Sequence, residues 1–374
     1  ADADGRTAGA YLLNAAAGET PSLELAIRRP AGGTWMVRTV DGERPAEVVR
    51  TGEDEIVVRV PPMGAWRPTL VYRAAEQPVL RFGFVSDTHL SVPGFSTPYC
   101  GDASLWERAL AYFRDRDVDA VVHAGDFTDW GLVEQLKLAG DVWRKVFPGN
   151  RGRDGRPVEK LFVMGNHDDH GWRFNTARRY LKEQGRTAFE SRELLVPANR
   201  AVAWREAFGE EYADFWIKSV KGYRFVGCNR LEYPKDCRYL EEHRAELEGT
   251  RPFFYVQHSA PKGTTGAPKV VGQDAGHSTA ALAAFPNAVA LSGHTHAPLS
   301  DACVFWKGAF ASVGAASLRY LMETGKFVDD KGALDPSRQQ GLLVSVYADR
   351  IVFERRDFSR NVSVGPDWIL PLNK

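Results

Sequence analysis

The hydrophobic and polar residues of the chain follow two different patterns, which divide it near residue 78. The first part contains short apolar runs at 23–27, 35–40, 55–60 and 69–73, separated by clusters of Gly, Pro, Asp and Glu. Short strands at this spacing are typical of a small antiparallel sandwich. We therefore predict a β-sandwich domain at 1–78. Because it shows no metal-ligand spacing, we interpret it as a packing or orienting domain rather than a carbohydrate-binding module.

From residue 79 onwards, β-rich runs alternate with amphipathic helical segments. Runs at 80–86, 119–124 and 158–164 alternate with helical patterns at 104–114, where Ser104 is a candidate N-cap, and at 132–146. This alternation predicts parallel strands joined by right-handed crossovers. Further strands are predicted at 212–217, 223–228, 253–256, 288–291, 304–306, 310–313, 341–347 and 350–355, and further helices at 177–184, 201–208 and 238–248. We interpret the Arg-, Glu- and aromatic-rich segment 171–222 as an insertion over or beside the functional site.

Five polar clusters each follow a β-rich run of this second part. They are Asp87-Thr88-His89, Gly125-Asp126-Phe127-Thr128-Asp129, Gly165-Asn166-His167-Asp168, the single His258, and Gly293-His294-Thr295-His296. Side chains just past the carboxyl ends of strands in an α/β sheet converge on one crevice. Carboxylate, imidazole and amide groups there suit divalent Mn, Fe, Zn or Co better than Ca or a thiolate-bound ion. The sequence therefore predicts a site for two metals.

The spacing within these clusters suggests how the metals are shared. Two ions a few ångströms apart need a bridging oxygen ligand, and Asp126 suits this role because the preceding glycine permits a tight turn. Asp87 and His89 are two residues apart, so on an extended segment they point to the same side and bind one ion, together with His296. The same spacing would pair His294 with His296, although a slight twist would send them to different ions.

Charge and composition narrow the class of partner. The 48 basic and 48 acidic residues give a formal net charge of 0, so the basic excess of a phosphate-binding nucleic-acid protein is missing and we expect no nucleic-acid partner. No run approaches the roughly 18 apolar residues of a transmembrane helix. The chain begins at Ala1 instead of methionine, which removal of a leader or trimming would explain, and we expect export rather than a cytoplasmic location. Cys228 and Cys237 are either bridged or free thiols.

In their order along the chain, the five clusters resemble the calcineurin-like metallophosphoesterase superfamily over about residues 79–356. This resemblance implies that 79–374 forms an α/β domain, a two-sheet αββα sandwich. It also implies two divalent or mixed-valence metal ions, of Mn, Fe or Zn. Their ligands would be Asp87, His89 and His296 for one ion, Asn166, His258 and His294 for the second, and Asp126 as the bridge.

The resemblance also implies a reaction, the hydrolysis of a small phosphomonoester or phosphodiester by a metal-bridging hydroxide that attacks phosphorus. His167 would stabilise the transition state or protonate the leaving oxygen, and Asp168 would orient it by accepting its other N–H. Asp129 is assigned as a partner of a metal-binding histidine in preference to a helix cap. His170 and His277 are weaker candidates for substrate contact, and core packing accounts for His123.

Departures from two sub-families narrow the substrate class. Asp129-Trp130-Gly131 stands where protein Ser/Thr phosphatases carry Asp-Arg-Gly, so a phosphate-clamping arginine is missing. Purple acid phosphatases place a tyrosine ligand where Asp129 stands and glycine where His89 stands, so we expect no tyrosinate-to-iron colour.

Several alternatives stay open at this stage. The chain is either a phosphoesterase, a nuclease of the same superfamily, or a catalytically idle binding or scaffold protein that retained the fold. Trp130, Trp172 and Tyr320 either stack on a substrate base or sugar or pack within the protein. Segments 171–222, 259–279 and 314–340 would form the pocket walls, so the motifs do not define the substrate or the oligomeric state.

Overall fold

The computed structural model of the chain divides into two compact units, residues 1–77 and 78–374. The residues that it describes are 9–14, 18–28, 34–39, 41–52, 54–65, 68–73, 77–92, 101–173, 175–185, 192–266, 272–322, 334–335 and 337–372. Parts of the predicted pocket walls, at 267–271 and 323–333, lie outside these residues, as does Cys100. Among the described residues, no helix is both long and apolar enough to cross a membrane.

The N-terminal unit is the predicted antiparallel β-sandwich. Its strands are β1 (Gly9–Leu13), β2 (Leu23–Arg28), β3 (Trp35–Thr39), β4 (Gly42–Pro45), β5 (Glu47–Thr51), β6 (Glu55–Val60) and β7 (Pro68–Arg73). They form two sheets of order β1-β7-β3-β4 and β2-β6-β5. The strands β1, β4 and β5 were not predicted. Every residue of β5 is exposed, so this edge strand lacks the apolar alternation by which a half-buried strand is identified.

The second unit contains the remaining strands and all the helices of the described residues. The strands are β8 (Leu80–Val85), β9 (Ala120–Ala124), β10 (Glu159–Val163), β11 (Phe215–Val220), β12 (Tyr223–Cys228), β13 (Phe253–Val256), β14 (Ala288–Ser292), β15 (Phe305–Lys307), β16 (Ala311–Gly314), β17 (Leu321–Met322), β18 (Leu334–Asp335), β19 (Gln340–Val346), β20 (Arg350–Asp357), β21 (Val362–Ser363) and β22 (Trp368–Pro371). The α-helices are α1 (Ser104–Arg114), α2 (Val133–Val146), α3 (Asn166–His170), α4 (Asn175–Glu183), α5 (Arg200–Phe208), α6 (Tyr239–Glu242), α7 (Arg244–Leu247) and α8 (His277–Leu282).

Apart from β17 and β18, which pair only with each other, these strands form two facing sheets, as expected for an αββα sandwich. The first has the order β10-β9-β8-β19-β20-β21, with β22 also on β20, and the second has the order β11-β12-β13-β14-β16-β15. In the first sheet β8, β9 and β10 are parallel, and in the second β12, β13, β14 and β16 are parallel. The sheets pack face to face, since the Phe82 ring lies 5.3 Å from Phe225 and 4.9 Å from Phe254.

Helices cover the outer face of each sheet. Buried residues of α1, α2 and α5 form one core with the outer face of the first sheet, and α6, α7 and α8 do the same for the second. The predicted insertion 171–222 is therefore partly integral to the fold, because α5 belongs to the outer layer and β11 is an edge strand. Segments 177–184 and 201–208 are helical as predicted, as α4 and α5.

Two other helix predictions need correction. The helix predicted at 238–248 is two short helices that meet at His243, whose φ of −100° and ψ of 15° interrupt the α-helical conformation. Ser104 is the first residue of α1 and not its N-cap; the Oδ1 of Asp102 accepts the Ser104 backbone N–H at 2.8 Å.

Cys228 and Cys237 are both free thiols.

We expect Gly140→Ala to destabilise the domain by about 1–3 kcal/mol, partly offset by the higher helix propensity of alanine. A Cβ atom at this position of α2 would collide with the backbone carbonyl of Ala207 in α5, so the two helices would have to separate. Urea unfolding monitored by circular dichroism measures the change. Gly152→Ala is the control, since its Cβ would meet only ordinary contacts. An unchanged unfolding free energy for Gly140→Ala would contradict this packing.

Candidate metal centre

The seven predicted metal ligands all follow strands of the two sheets. Asp87 and His89 follow β8, and Asp126 follows β9. Asn166 begins α3 after β10, His258 follows β13, and His294 and His296 follow β14. Because these strands run parallel within each sheet, their carboxyl ends lie at the same edge. The fold thereby brings together side chains that are far apart in sequence.

Five of these residues have a left-handed backbone conformation, which is uncommon outside glycine. The φ angles are 57° at Asp87, 47° at His89, 58° at Asp126, 67° at His294 and 50° at His296. Such conformations cost on the order of 1–3 kcal/mol each and persist where the surrounding structure determines them. The extended geometry by which the sequence analysis paired Asp87 with His89 is therefore wrong. The two side chains do come together, but through tight turns.

Asp87, His89 and His296 form the first group of ligand atoms. The Nε2 of His296 lies 2.9 Å from the Oδ1 of Asp87 and 3.2 Å from the Nε2 of His89. The Nε2 of His89 is 3.8 Å from the same Asp87 oxygen. All three side chains are buried. Two imidazoles and a carboxylate thus point at one small region.

The second group surrounds the Nε2 of His258. This nitrogen lies 2.9 Å from the Oδ1 of Asn166, 3.1 Å from the Nδ1 of His294 and 3.2 Å from the Oδ2 of Asp126. The same Asp126 oxygen is 3.8 Å from the Nε2 of His89 in the first group. The Asp126 carboxylate therefore lies between the two groups, as a bridging ligand must.

Hydrogen bonds fix which ring nitrogen faces the cluster in three of the four histidines, His89, His258 and His296. The Nδ1 of His89 lies 3.1 Å from the Oδ1 of Asp129, that of His258 2.7 Å from the Ala124 carbonyl oxygen, and that of His296 3.0 Å from the Tyr320 carbonyl oxygen. An imidazole that donates from Nδ1 presents Nε2 as a lone pair, which is the form that binds a metal.

Backbone N–H groups orient the two carboxylates in the same way. The N–H of His167 donates to the Oδ1 of Asp126 at 2.8 Å, which directs Oδ2 towards both groups. The N–H of His294 donates to the Oδ2 of Asp87 at 2.9 Å. The other Asp87 oxygen is buried and accepts no hydrogen bond of suitable geometry, although the Nε2 of His296 lies 2.9 Å away. A buried oxygen without a donor is costly, and a cation in the first group would satisfy it. The donor set therefore fits two divalent ions.

Two glycines make the close approach of these loops possible. A Cβ atom on Gly165 would collide with the Asp126 carboxylate, and one on Gly293 would collide with the side chains of Ser86 and Asp87. Both glycines directly precede a predicted ligand. The glycine in Gly-Asn-His-Asp and in Gly-His-x-His is thus required by space at the cluster.

The electrostatic environment pulls the histidine pKa values in opposite directions. Although burial lowers it, the neighbouring carboxylates of Asp129 and Asp87 raise the pKa of His89 to about 10. Burial likewise opposes the Asp126 charge at His258, whose pKa is raised to about 9. Burial lowers the pKa of His294 to about 4. Although burial opposes it, the nearby histidines hold the pKa values of Asp87 and Asp126 well below their usual range.

These pKa values predict that metal uptake releases protons. Without metal at pH 7.5, His89 and His258 carry a proton that binding must displace, whereas His294 is already neutral. Affinity should therefore rise with pH up to about 9–10 and fall in acid. We expect about two protons to be released on loading with Mn²⁺. Calorimetry in two buffers of different ionisation enthalpy counts them, and a count near zero would contradict the protonated apo state.

Asp168 has a different role from the one that the sequence suggested. Its carboxylate accepts backbone N–H groups of Gly165 at 2.8 Å, Asp126 at 3.0 Å and Thr128 at 2.9 Å, and also the Thr128 hydroxyl at 2.9 Å. The buried Asp168 carboxylate thus links the loop that contains Asp126 to the loop that contains Asn166 through hydrogen bonds. Burial and the Asp126 charge raise its pKa to about 6.

Asp129 takes the orienting role that was predicted for Asp168. The Nδ1 of His167 lies 2.9 Å from the Asp129 carbonyl oxygen and 3.3 Å from its Oδ1. The Oδ1 of Asp129 is also the partner of His89, as expected for a residue that supports a metal-binding histidine. The sequence analysis correctly assigned Asp129 as a partner of a metal-binding histidine, but it assigned the contact with His167 to Asp168.

The remaining candidate residues lie outside the two ligand groups. His123 is buried and stacked on Phe127 at 3.6 Å, a core position as predicted. The Nδ1 of His170 is 3.2 Å from Asp169, and His277 begins α8. The Tyr320 ring packs on His296 at 4.2 Å and on His89 at 5.6 Å, so it supports the ligands of the first group.

Two other aromatic residues near the motifs make packing contacts. Trp130 is buried and packs on Tyr180 at 5.2 Å. Trp172 packs against the small hydrophobic core that contains Trp130, and its ring lies under the Arg173 guanidinium. The interpretation of Trp130 as a packing residue therefore fits the structure better than stacking on a substrate.

A search of the solved structures found proteins similar to this chain. A purple acid phosphatase from yellow lupin (Lupinus luteus) is similar in fold, with a TM-score of 0.50, 12% identity, and coverage of 97% of this chain and 74% of that one. A dimetal phosphatase from Danio rerio has a TM-score of 0.42, 15% identity, and coverage of 79% and 100%. GAP50, the anchor in the inner membrane complex of Plasmodium, has a TM-score of 0.44, 13% identity, and coverage of 79% and 89%.

The family is established by a sequence model instead of these distant structures. A search of the curated proteins found no match. The model of the calcineurin-like phosphoesterase family matches residues 80–298, more than half of the chain, and this range includes all seven predicted ligands and His167. The chain therefore belongs to the calcineurin-like phosphoesterase family.

Proposed function

We propose that the protein is a dinuclear metal-dependent phosphoesterase that hydrolyses a small phosphomonoester or phosphodiester, with water as the nucleophile. The observation that carries this proposal is the Asp126 carboxylate, whose Oδ2 lies between two groups of buried ligand atoms. Two divalent ions, of Mn, Fe or Zn, would supply a water of lowered pKa and neutralise charge on the phosphoryl oxygens.

The residues of the chain would act mainly by position. The Oδ1 of Asp126 accepts the His167 backbone N–H, so its Oδ2 stays directed at both groups. The side chain of His167 is 19% exposed, and one of its ring nitrogens lies within 4.8 Å of ligand atoms of His89 and Asp126. With Nδ1 held on the Asp129 carbonyl, Nε2 is the nitrogen that would give a proton to the leaving oxygen. No covalent enzyme nucleophile is needed.

The two other functions differ in measurable ways. A nuclease would need to hold many phosphates, and the net charge of 0 gives no general attraction to them. A strongly salt-dependent affinity for DNA would favour the nuclease. An idle scaffold protein would have no reason to keep three oriented imidazoles and a bridging carboxylate in strained backbone conformations.

The test combines metal analysis with a panel of phosphoesters. The purified protein is analysed for metals and is then assayed with p-nitrophenyl phosphate and bis(p-nitrophenyl) phosphate after addition of manganese. We expect two metal ions per chain and hydrolysis of at least one ester, with neither in the Asp126→Asn variant. Full metal loading without hydrolysis of any ester would favour the idle scaffold protein.

A further inference from the structure

A polar cavity of about 420 Å³ lies beside the second ligand group. Its wall includes Met164 and Gly165, the residues directly before the ligand Asn166. Asp169 also lines it and lies three residues after Asn166 on α3, and residues three apart share one side of a helix. The volume is that of a cleft for a small molecule. The cavity therefore adjoins the segment that carries Asn166.

The cavity has charges of both signs, with an excess of negative charge. Its charged residues are Asp169, Asp214, Glu232, Arg200 and Arg230. Arg200 pairs with Asp169, and the Nη1 of Arg230 lies 3.5 Å from the Oδ2 of Asp214. Glu232 is exposed, and within the described part of the chain no basic side chain pairs with it. Three carboxylates against two guanidinium groups leave the cavity net acidic.

The wall of the cavity is held in place by the fold. The Oδ1 of Asn229 accepts the Met164 N–H at 3.0 Å, and its amide donates to the Ala213 carbonyl oxygen at 2.6 Å. The Oε2 of Glu232 accepts the Ala275 N–H at 2.7 Å. The same loop contains Gly272, where a Cβ atom would lie 2.6 Å from the ring of the ligand His294. The acidic wall of the cavity, formed by Asp214 and Glu232, is thus linked to the segment before Asn166 and to the loop that contacts His294.

We propose that this cavity binds the alcohol part of the phosphoester and that this part carries a protonated amine, as in a phosphorylated amino alcohol or amino acid. The inference rests on the proposed function, because it assigns the substrate class of that site. An ammonium group is attracted by Glu232 and Asp214, whereas a ligand that carries a second anionic group and no ammonium meets the net negative charge of the cavity. Arg200 and Arg230 can donate to a hydroxyl or carboxylate of the same ligand.

Three esters that differ in one group test the preference. Phosphoethanolamine carries an ammonium, propyl phosphate a methyl and phosphoglycolate a carboxylate at the end of a short chain. For the manganese-loaded protein, we expect kcat/KM to be about tenfold higher for phosphoethanolamine than for propyl phosphate, and lowest for phosphoglycolate. A ratio of phosphoethanolamine to propyl phosphate at or below one would overturn the inference.

Variants of the acidic wall connect the preference to this cavity. Glu232→Gln and Asp214→Asn should each lower the ratio of phosphoethanolamine to propyl phosphate by about three- to tenfold. Glu241→Gln, an exposed glutamate on α6 that pairs with Arg238, should leave the ratio unchanged. A ratio that neither wall variant alters would contradict the assignment of the cavity.

Binding measurements separate this inference from the proposed function. Calorimetry with 2-aminoethylphosphonate, propylphosphonate and 3-phosphonopropionate requires no turnover. Tighter binding of the amine by about tenfold, lost in Glu232→Gln, would support the cavity even if none of the esters were hydrolysed. Hydrolysis of all three esters with equal efficiency would leave the phosphoesterase intact and reject the amine preference.

Discussion

Replacement of Asp126 by asparagine should abolish hydrolysis, with a fall in kcat/KM of at least about 10³-fold. The carboxylate oxygen that lies between the two ligand groups is 3.2 Å from His258 and 3.8 Å from His89, so its charge is shared by both metal positions. Loss of this negative charge should remove about 4 kcal/mol or more of transition-state stabilisation, and each 1.36 kcal/mol corresponds to a tenfold change in rate. Metal analysis should show that the stoichiometry falls below two ions per chain.

The structure offers a matched control for this change. Asp141 is an exposed aspartate on α2 that pairs with Arg144, and Asp141→Asn should keep both metals and full turnover. Thermal unfolding of the apo forms verifies that Asp126→Asn is folded. A folded Asp126→Asn variant with two bound metals and normal turnover would remove the basis of the dinuclear assignment.

Replacement of His167 by alanine should lower kcat by about 10²–10⁴-fold and leave both metals bound. His167 belongs to neither the Asp87-His89-His296 group nor the Asp126-His258-His294 group, although one of its ring nitrogens lies within 4.8 Å of ligand atoms of His89 and Asp126 and its ring packs edge-on at 4.4 Å against His89. Its loss therefore removes a proton donor to the leaving oxygen without removing a ligand. The effect should be smaller for p-nitrophenyl esters, because their acidic leaving group needs little protonation. Steady-state kinetics with an aryl and an alkyl ester measure the difference.

Two further variants distinguish a catalytic from a positioning role. Asp129→Asn should lower kcat less than His167→Ala, because the Asp129 backbone carbonyl still holds the Nδ1 of His167. It should also weaken metal binding by about 10–100-fold, because the Oδ1 of Asp129 lies 3.1 Å from the Nδ1 of His89 and 3.3 Å from that of His167. His243→Ala, at a partly exposed histidine paired with Glu246, is the neutral control. Loss of metal in His167→Ala would show that this histidine is a ligand rather than a proton donor.

Much of the fold could be predicted because deeply buried elements have a clear apolar pattern, either a continuous apolar run or a helical period. The buried strand Phe253–Val256 and the helix Val133–Val146 agree with the sequence prediction to within one residue. Prediction failed at elements that bury little or are broken locally. The strand Glu47–Thr51 is exposed throughout, and the interruption at His243 depends on two backbone angles.

The partners of the functional residues were harder to predict than the residues themselves. The resemblance implied that Asp168 holds His167, yet adjacent residues of a helix point in different directions. In the structure Asp168 braces the Asp126 loop, and Asp129, from a different strand, holds His167. The acidic cavity likewise combines residues from α3, α5 and the loop after β12, which no local pattern connects.

The sequence by itself determined the type of chemistry, because ligand identity is a property of single residues and their place after β-rich runs follows from local periodicity. It also determined the two-part organisation of the chain, through the change in pattern near residue 78. Only the tertiary structure decided which oxygen of each carboxylate faces the cluster, which nitrogen each histidine presents, and which side chains flank the second ligand group. Those properties depend on distances between segments far apart in sequence, and the packing of the two sheets sets them.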